Sequence, residues 1–434
     1  MEVQNKPTIE ISELKKADYA GSVQRLYYLK DRDDLMVCET TPGGSVFDVG
    51  TIFSIPVSDR CRAAVRHKIF TMLHAPEAWE RVFTGIGEKG RWESGFADSI
   101  ETGLRDELLR DGALTHHVGM VDEKTGEIYE SSFPEAPSNF VVVRRFQIIK
   151  PRRVSIHAKN LWDYSHYADK DGYVIPLENI FRLGLTSGSS IYRKYLRLSE
   201  DRRPDYLREL GLSGEMRPWN KFSRPIFDFT TKYEPEDRNL DLQEALLISG
   251  LSGGDFERLI NLGLFGSLLV SEFFRELGLF LWDIKWEMAR EAGKLVYVDT
   301  IDTDSVRVTL RLDYDGRICH VHINKQAMRD YYRIMHADWY EAVGDSKKLA
   351  GKTGESFLDI LKAGQADGRY PPTPEVDPDF TAIQEDKFRT ILDYLTSELS
   401  QAEAQSKLRE AGTEEMKYYG RHGRFEAYCK LNSP

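Results

Sequence analysis

The 434-residue chain has no CxxC pair, no P-loop signature, no dinucleotide-binding glycine fingerprint and no run of about 18 apolar residues. Its four cysteines, Cys38, Cys61, Cys319 and Cys429, are scattered, which excludes a zinc or redox motif defined by spacing. The richest apolar stretch, 256–282, is broken by Glu, Arg, Asn and Gly, so no membrane span is expected. The opening MEVQNKPTIEISELKK lacks the apolar centre of a signal peptide, and the cytoplasm is the expected compartment. Basic residues are outnumbered, 59 Lys and Arg against 70 Asp and Glu. The net charge of -11 argues against a nucleic-acid or membrane-surface binder, yet it leaves room for a local basic pocket that takes a phosphate. The SGSS stretch (187–190) lacks the GxSxG context of a nucleophile elbow.

What is present suits an enzyme. With 41% hydrophobic residues the chain can bury a sizeable core. Residues 1–150 read as a β-rich lobe with an insertion at about 85–138. Residues 151–345 read as a larger α+β lobe, and 346–434 as a Pro-rich linker and a helical extension. In that extension Ile383, Phe388, Ile391, Leu392, Leu395 and Leu399 form a packing stripe. His116 and His117 fall in the insertion and are expected to be exposed. His320 and His322 share one face of a strand, with no third metal ligand nearby, and read as structural.

The most informative stretch is LWDIKWEM (281–288). Trp282, Ile284, Trp286 and Met288 occupy one parity, and Asp283, Lys285 and Glu287 the other. On a strand the three charges share a face, with the carboxylates roughly 13 Å apart at about 3.3 Å per residue. Such a face is either solvated or functional. Upstream, 255–277 predicts a buried helix with Asp255 as N-cap and Gly278 just past its end. Downstream, Gly293 marks a turn and LVYVD (295–299) a partner strand. A hairpin closing through Ala292, Gly293 and Lys294 sets Glu287 opposite Asp299. A divalent cation there would relieve the repulsion, because Mg2+ takes one or two carboxylates together with substrate phosphates. A slip of one residue would separate the pair.

LFLWDIKWEMA followed by LVYVDTIDTDSVR resembles the D-x-K-x-E-F-G hairpin and the D-E-x-x-x-P-D-S-S-R segment of the SAICAR synthetase (phosphoribosylaminoimidazole-succinocarboxamide synthase) family. Four further stretches are similar to family segments in the same order: SVFDVGTIFSIP (45–56), IPLENIFRLGLTSGS (175–189), RPIFDFTTKYEPED (224–237) and KQAMRDYY (325–332). The resemblance spans roughly residues 20–335. It implies an α/β (α+β) fold of two lobes, with ATP in the cleft, reminiscent of ATP-grasp enzymes and kinases. It also implies an ATP-dependent reaction that joins the carboxylate of carboxyaminoimidazole ribonucleotide to the amine of aspartate through an acyl phosphate.

Carried over residue by residue, the resemblance implies that Glu287 and Asp299 hold Mg2+ on the ATP phosphates. Lys285 would offset charge on the transferring group, and Asp283 would hydrogen-bond substrate amino groups. Arg182, Ser189 and Arg307 match positions that bind the ribose 5′-phosphate, a task suited to guanidinium forks and a loop hydroxyl. Ser45, Asp48, Glu178, Lys232, Asp237, Asp304 and Ser305 would line the substrate side, and Gly21, Ser22 and Arg144 the ATP side. The expected ligands are ATP, Mg2+, a phosphoribosyl nucleotide carboxylate and an amino acid, with no nucleic acid or membrane. A homo-oligomer is compatible with the basic, aromatic tail.

Departures from the pattern bear on the substrate. Ser22 and Gln24 stand where the family has Lys and Arg, Thr41-Pro42-Gly43-Gly44 replaces an Asp-Arg pair, and Glu236 replaces a His. Thr300 replaces a Glu, and Met288-Ala289 replaces Phe-Gly. A glycine loop can still cradle phosphate with backbone N–H groups. Three readings stay open: the aspartate ligase of purine synthesis, a paralogue joining a different amino acid or nucleotide-like carboxylate in specialised nucleoside metabolism, and a non-catalytic nucleotide-binding homologue.

Overall fold

The computed structural model describes residues 8–434 other than Lys89 and Asp169. Two antiparallel sheets organise the α+β fold. The first runs in the order Tyr19–Ala20, Gln24–Tyr28, Leu35–Thr40, Phe140–Arg144, His117–Val121, Ile128–Tyr129. Residues 85–138 are therefore more than an excursion, because they supply two of its strands. His116 and His117, expected on the surface, are buried beneath Phe70 of the helix Ser58–His74. Alternation in this short stretch is masked because the strand is covered on both faces.

The second sheet has the order Asn239–Leu240, Lys221–Thr231, Leu177–Gly184, Leu279–Glu291, Val306–Tyr314, Arg317–His322. Tyr173–Val174 and Lys294–Val298 pair with the far half of Leu279–Glu291, making that strand the spine of the sheet. The helix Gly253–Glu276 packs on the spine. Its N-cap is Ser252, whose side chain accepts from the Asp255 amide, rather than Asp255 itself. Asp255 lies in the first turn, where its charge still favours the helix dipole. At Gly266 the backbone approaches closely: a Cβ would stand 3.0 Å from both Trp286 and the Tyr297 hydroxyl, so a larger residue would push these rings back by a few tenths of an ångström.

A bulge in the spine between Leu281 and Asp283 resets the alternation. Leu279 and Leu281 before it, and Ile284, Trp286 and Met288 after it, enter the same core. Trp282, expected beside Ile284, instead packs against Phe280, Trp219 and His320. The following hairpin also differs from expectation. It closes through two residues, Ala292 (φ 49) and Gly293 (φ 73), which pairs Glu291 with Lys294 and sets Glu287 opposite Val298. Paired positive φ values match the twist of the flanking strands, which favours the shorter loop.

The C-terminal helices Pro378–Leu395, Gln401–Arg421 and Phe425–Asn432 join the same hydrophobic core as both sheets. Ile383, Phe388, Ile391 and Leu395 of the expected stripe are buried. Within this packing Lys387 and Glu415 form an ion pair, each side chain 1% exposed, and Lys387 also donates to the His322 carbonyl at 3.0 Å. Among the described residues no helix is long and apolar enough to cross a membrane. Replacing Lys387 by Met would strand the Glu415 carboxylate, and a loss of about 3–5 kcal/mol of unfolding free energy is expected in denaturant titrations. The double variant Lys387→Met/Glu415→Leu should recover most of it.

Candidate active site

The polar face of the spine is the floor of a cleft of about 550 Å³. Strand register builds its first row: Arg182 pairs with Asp283, and Asp283 pairs with Arg307, on three adjacent strands. Charges opposite one another across strands attract when their signs alternate, as they do here. Asp283 lies 3.0 Å from Arg307 and 3.5 Å from Arg182. Arg182, 2% exposed, also grips Asp228 in a fork, Nε to Oδ1 at 3.1 Å and Nη2 to Oδ2 at 3.0 Å. Burial lowers the Arg182 pKa, but Asp228 and Asp283 outweigh it and leave the group above its usual value.

The second row centres on Lys285. It forms an ion pair with Glu178 and stands 3.5 Å from Glu287, while Lys232 pairs with the other Glu287 oxygen. Glu178 Oε2 accepts from Thr230 at 2.8 Å. Burial lowers the Lys285 pKa, but the charges of Glu287 and Glu178 more than reverse this, so the ammonium is firmly held.

The shorter turn carries Asp299 one place past the strand end, where regular backbone would aim its side chain away from Glu287. Asp299 has φ 65, and this left-handed residue keeps the two carboxyl groups in contact. The expected pairing thus arises by a different backbone route. Burial, then the Asp299 charge, pushes Glu287 up to about 8. Asp299 falls below the ordinary carboxylate range: burial opposes this, but the Glu287 hydrogen bond and the charges of Lys232 and Lys285 prevail. Glu287 Oε1 is buried and has no hydrogen-bond partner. That oxygen, 3.5 Å from the Lys285 ammonium and beside a second carboxylate, fits a hard divalent cation. Among the described residues no group of three or more His, Cys, Asp or Glu side chains could hold a metal ion, so further ligands would come from substrate phosphates or water.

Of the residues expected at a site, Glu178, Arg182, Asp237, Asp283, Lys285, Asp299, Asp304, Ser305 and Arg307 line this one cleft. Glu287 and Lys232 sit against them through the ion pairs above. Ser189 lies behind the lining, 3.5 Å from Arg182 Nη1, and it is the next residue, Ser190, that faces the cleft. Ser45, Asp48, Gly21, Ser22 and Arg144 are not among the lining residues. Ser45 is buried in the hairpin formed by Gly43–Ser45 and Thr51–Ser54. Asp48 lies at that hairpin's tip and pairs with Lys347 at 2.6 Å. Gly21 and Ser22 belong to the turn whose next residues, Val23 and Gln24, reach the cleft. Arg144 pairs with Glu291 at 2.6 Å and donates to the Thr115 carbonyl.

Sequence reading missed Arg62, Asp302, Lys325, Gln326 and Arg329, which also line the cleft. Arg62, from the helix Ser58–His74, donates to Asp302 at 3.2 Å and to the Thr41 carbonyl at 3.4 Å. Asp302 in turn folds its loop by accepting from the Asp304 and Ser305 amides, an Asx turn legible as D-x-D-S. Gln24 bonds Thr300 at 2.9 Å and, with its carboxamide oxygen turned inward, accepts from the buried Arg66 guanidinium at 3.0 Å.

The cleft thus sets a carboxylate couple with two lysines beside a row of arginines, and comparison with known proteins gives the class. A profile of the SAICAR synthetase family matches residues 138–345. An Archaeoglobus fulgidus protein provisionally named phosphoribosylaminoimidazole-succinocarboxamide synthase is 30% identical over 272 residues, covering 62% of this chain and 71% of that one. A phosphoribosylaminoimidazole-succinocarboxamide synthase of Thermoplasma acidophilum is 30% identical over 236 residues, covering 53% and 67%. The SAICAR synthase of Saccharomyces cerevisiae, solved with SAICAR, superposes with a TM-score of 0.47 at 15% identity, covering 90% of this chain and 98% of that one. The chain belongs to the SAICAR synthetase family, whose members are ATP-dependent ligases.

The Glu287 shift carries a pH dependence. Its folded pKa lies above the ordinary 4.5, so the folded state holds the extra proton between about 4.5 and 8, and this stabilisation is lost as pH rises through that window. Thermal melts of the metal-free protein should therefore give a lower Tm near pH 8 than near pH 6.5, with Glu287→Gln flattening the difference.

Proposed function

We propose that this chain is an ATP-dependent amide-forming ligase that joins the carboxylate of carboxyaminoimidazole ribonucleotide to the amine of aspartate. The observation that carries this reading is the single cleft in which Lys285, flanked by Glu178 and Glu287, stands beside the row Arg182, Asp283, Arg307. A carboxylate is a poor electrophile. Transfer of the γ-phosphoryl group of ATP to one carboxylate oxygen gives an acyl phosphate. Attack by the amine then forms the C–N bond and expels phosphate, with the amine proton lost to solvent or a nearby base. The protein's share is positioning and charge neutralisation.

Lys285 offsets negative charge on the transferring phosphoryl group. Arg182 and Arg307, with Ser189 or Ser190, hold the ribose 5′-phosphate, and Asp283 orients substrate amino groups while keeping the two guanidiniums apart. Glu287 and Asp299 would hold Mg2+, which when bound neutralises phosphate charge. Glu178 fixes Lys285, and Lys232 fixes Glu287. Asp237, Asp304 and Ser305 are assigned to the substrate wall.

A second reading, a paralogue acting on a different amine or nucleotide-like carboxylate, is favoured by the nucleotide-side turn. There Gln24 is engaged by Thr300 and Arg66 where the family pattern has an arginine. Phosphate release from ATP and Mg2+ with carboxyaminoimidazole ribonucleotide, tested across a panel of amino acids with mass analysis of the product, separates the two. Aspartate-dependent release of the succinocarboxamide supports the first reading. Silence with aspartate while the nucleotide still binds supports the second.

Glu287→Gln and Asp299→Asn are each expected to abolish Mg2+-dependent turnover with the fold intact by circular dichroism. Near-normal activity in either would remove the metal assignment. Arg307→Ala should raise KM for the nucleotide substrate about tenfold or more, the scale of a lost charged hydrogen bond. An unchanged KM would take it out of the phosphate site.

A further inference from the structure

The family profile ends at residue 345, yet the chain continues through helices that pack behind elements lining the cleft. The last of them, Phe425–Asn432, meets the substrate side at two points. The Ser187 hydroxyl lies in the loop between the strand Leu177–Gly184 and the helix Ser190–Arg197, and it donates to the Leu431 carbonyl at 2.8 Å. The Asn432 carboxamide, 1% exposed, donates to Asp330 Oδ2 at 3.0 Å. Asp330 is itself buried in the helix Lys325–Met335, and its Oδ1 accepts from Gln326 Nε2 at 2.8 Å. Gln326 Oε1 then accepts from Arg329 Nη1 at 3.3 Å. Gln326 and Arg329 both line the cleft that contains Arg182 and Arg307.

Arg333, 3.6 Å from Asp330 Oδ1, and His322, 3.7 Å from Oδ2, also flank this carboxylate, and Asn432 supplies the hydrogen bond to its Oδ2. A buried carboxylate keeps its orientation only while its oxygens are satisfied, and a carboxamide tied through its nitrogen presents its oxygen in one direction. Arg329 stands among like charges, since burial and then Arg307 and Arg333 lower its pKa while Asp304 and Asp330 oppose this, and its hydrogen bond to Gln326 fixes one end of the guanidinium. We infer that Asn432 is a positioning residue. Through Asp330 and Gln326 it aims the Arg329 guanidinium, and the adjoining Leu431 carbonyl pins the loop that carries Ser189 and Ser190. The C-terminal helix thereby sets how tightly the cleft holds the anionic end of its nucleotide substrate. This rests on the phosphate-site reading given above.

The test is calorimetric binding of ribose 5-phosphate and, separately, ADP to the full chain and to Asn432→Ala, Ser187→Ala and Arg307→Ala. Asn432→Ala should weaken ribose 5-phosphate about tenfold, the scale of one lost buried hydrogen bond, and Ser187→Ala about threefold. ADP affinity should stay within about twofold in both, which a general loosening of the fold would not allow. In turnover assays the same two variants should raise KM for the nucleotide and leave kcat nearly unchanged. If both variants bind ribose 5-phosphate like the parent while Arg307→Ala does not, the relay is overturned and the phosphate site stands. If the parent itself does not bind ribose 5-phosphate, the phosphate-site reading falls and this inference with it. Should Asn432→Ala fail to fold, Ser187→Ala on its half-exposed loop decides, and an unchanged Kd there overturns the proposal.

Discussion

Ionised side chains taken out of water persist only where each meets an opposite charge or a hydrogen bond, and the face of the spine opposite the core is built around that requirement. Arg182, Asp283 and Arg307 satisfy one another because strand register lays them in a row. Lys285 is satisfied by Glu178 and Glu287 from its own and the neighbouring strand. Glu287, buried, and Asp299, exposed at the strand end, are the pair left short, two carboxyl groups beside two lysines, and burial with the Asp299 charge pushes Glu287 up to about 8.

The rest of the molecule keeps this arrangement in place. The bulge at Trp282 lets the spine bury apolar residues on one side while giving three successive polar positions to the other. The Gly266 approach brings the helix Gly253–Glu276 hard against Trp286, fixing the strand from beneath. From the opposite end, Lys387 and Glu415 anchor the C-terminal helices to the His322 carbonyl, close to the Asp330 network that faces the cleft. The tail is thus continuous with the core that supports the polar face of the spine.

Residues adjacent in sequence were the legible ones. Asp283, Lys285 and Glu287 share a face because alternation on a strand is local, and the Asp302 turn could have been read from D-x-D-S for the same reason. The hairpin register was misread because loop length turned on the positive φ of Ala292, which an alanine side chain does not advertise. The neighbouring Ser190, rather than Ser189, reaches the cleft because the loop enters a helix there and rotates each residue by about 100°. Arg62 and Asn432 gave no signal, since an isolated arginine or asparagine on a helix has the same appearance whether it faces solvent or a substrate, and Arg329 showed only as part of the KQAMRDYY segment.

The sequence by itself therefore determined the class of chemistry: which strand is polar on one side, which carboxylates and cations it carries, and which family pattern they follow. Those properties are set by side-chain identity and short-range periodicity. Only the tertiary structure decided which charges meet, that Asp299 turns back toward Glu287, that the helix Ser58–His74 supplies Arg62, and that Leu431 and Asn432 meet Ser187 and Asp330 behind the cleft. These contacts join residues tens to hundreds of positions apart. Their existence depends on burial, register and a backbone dihedral that the chain adopts only once the whole core has formed.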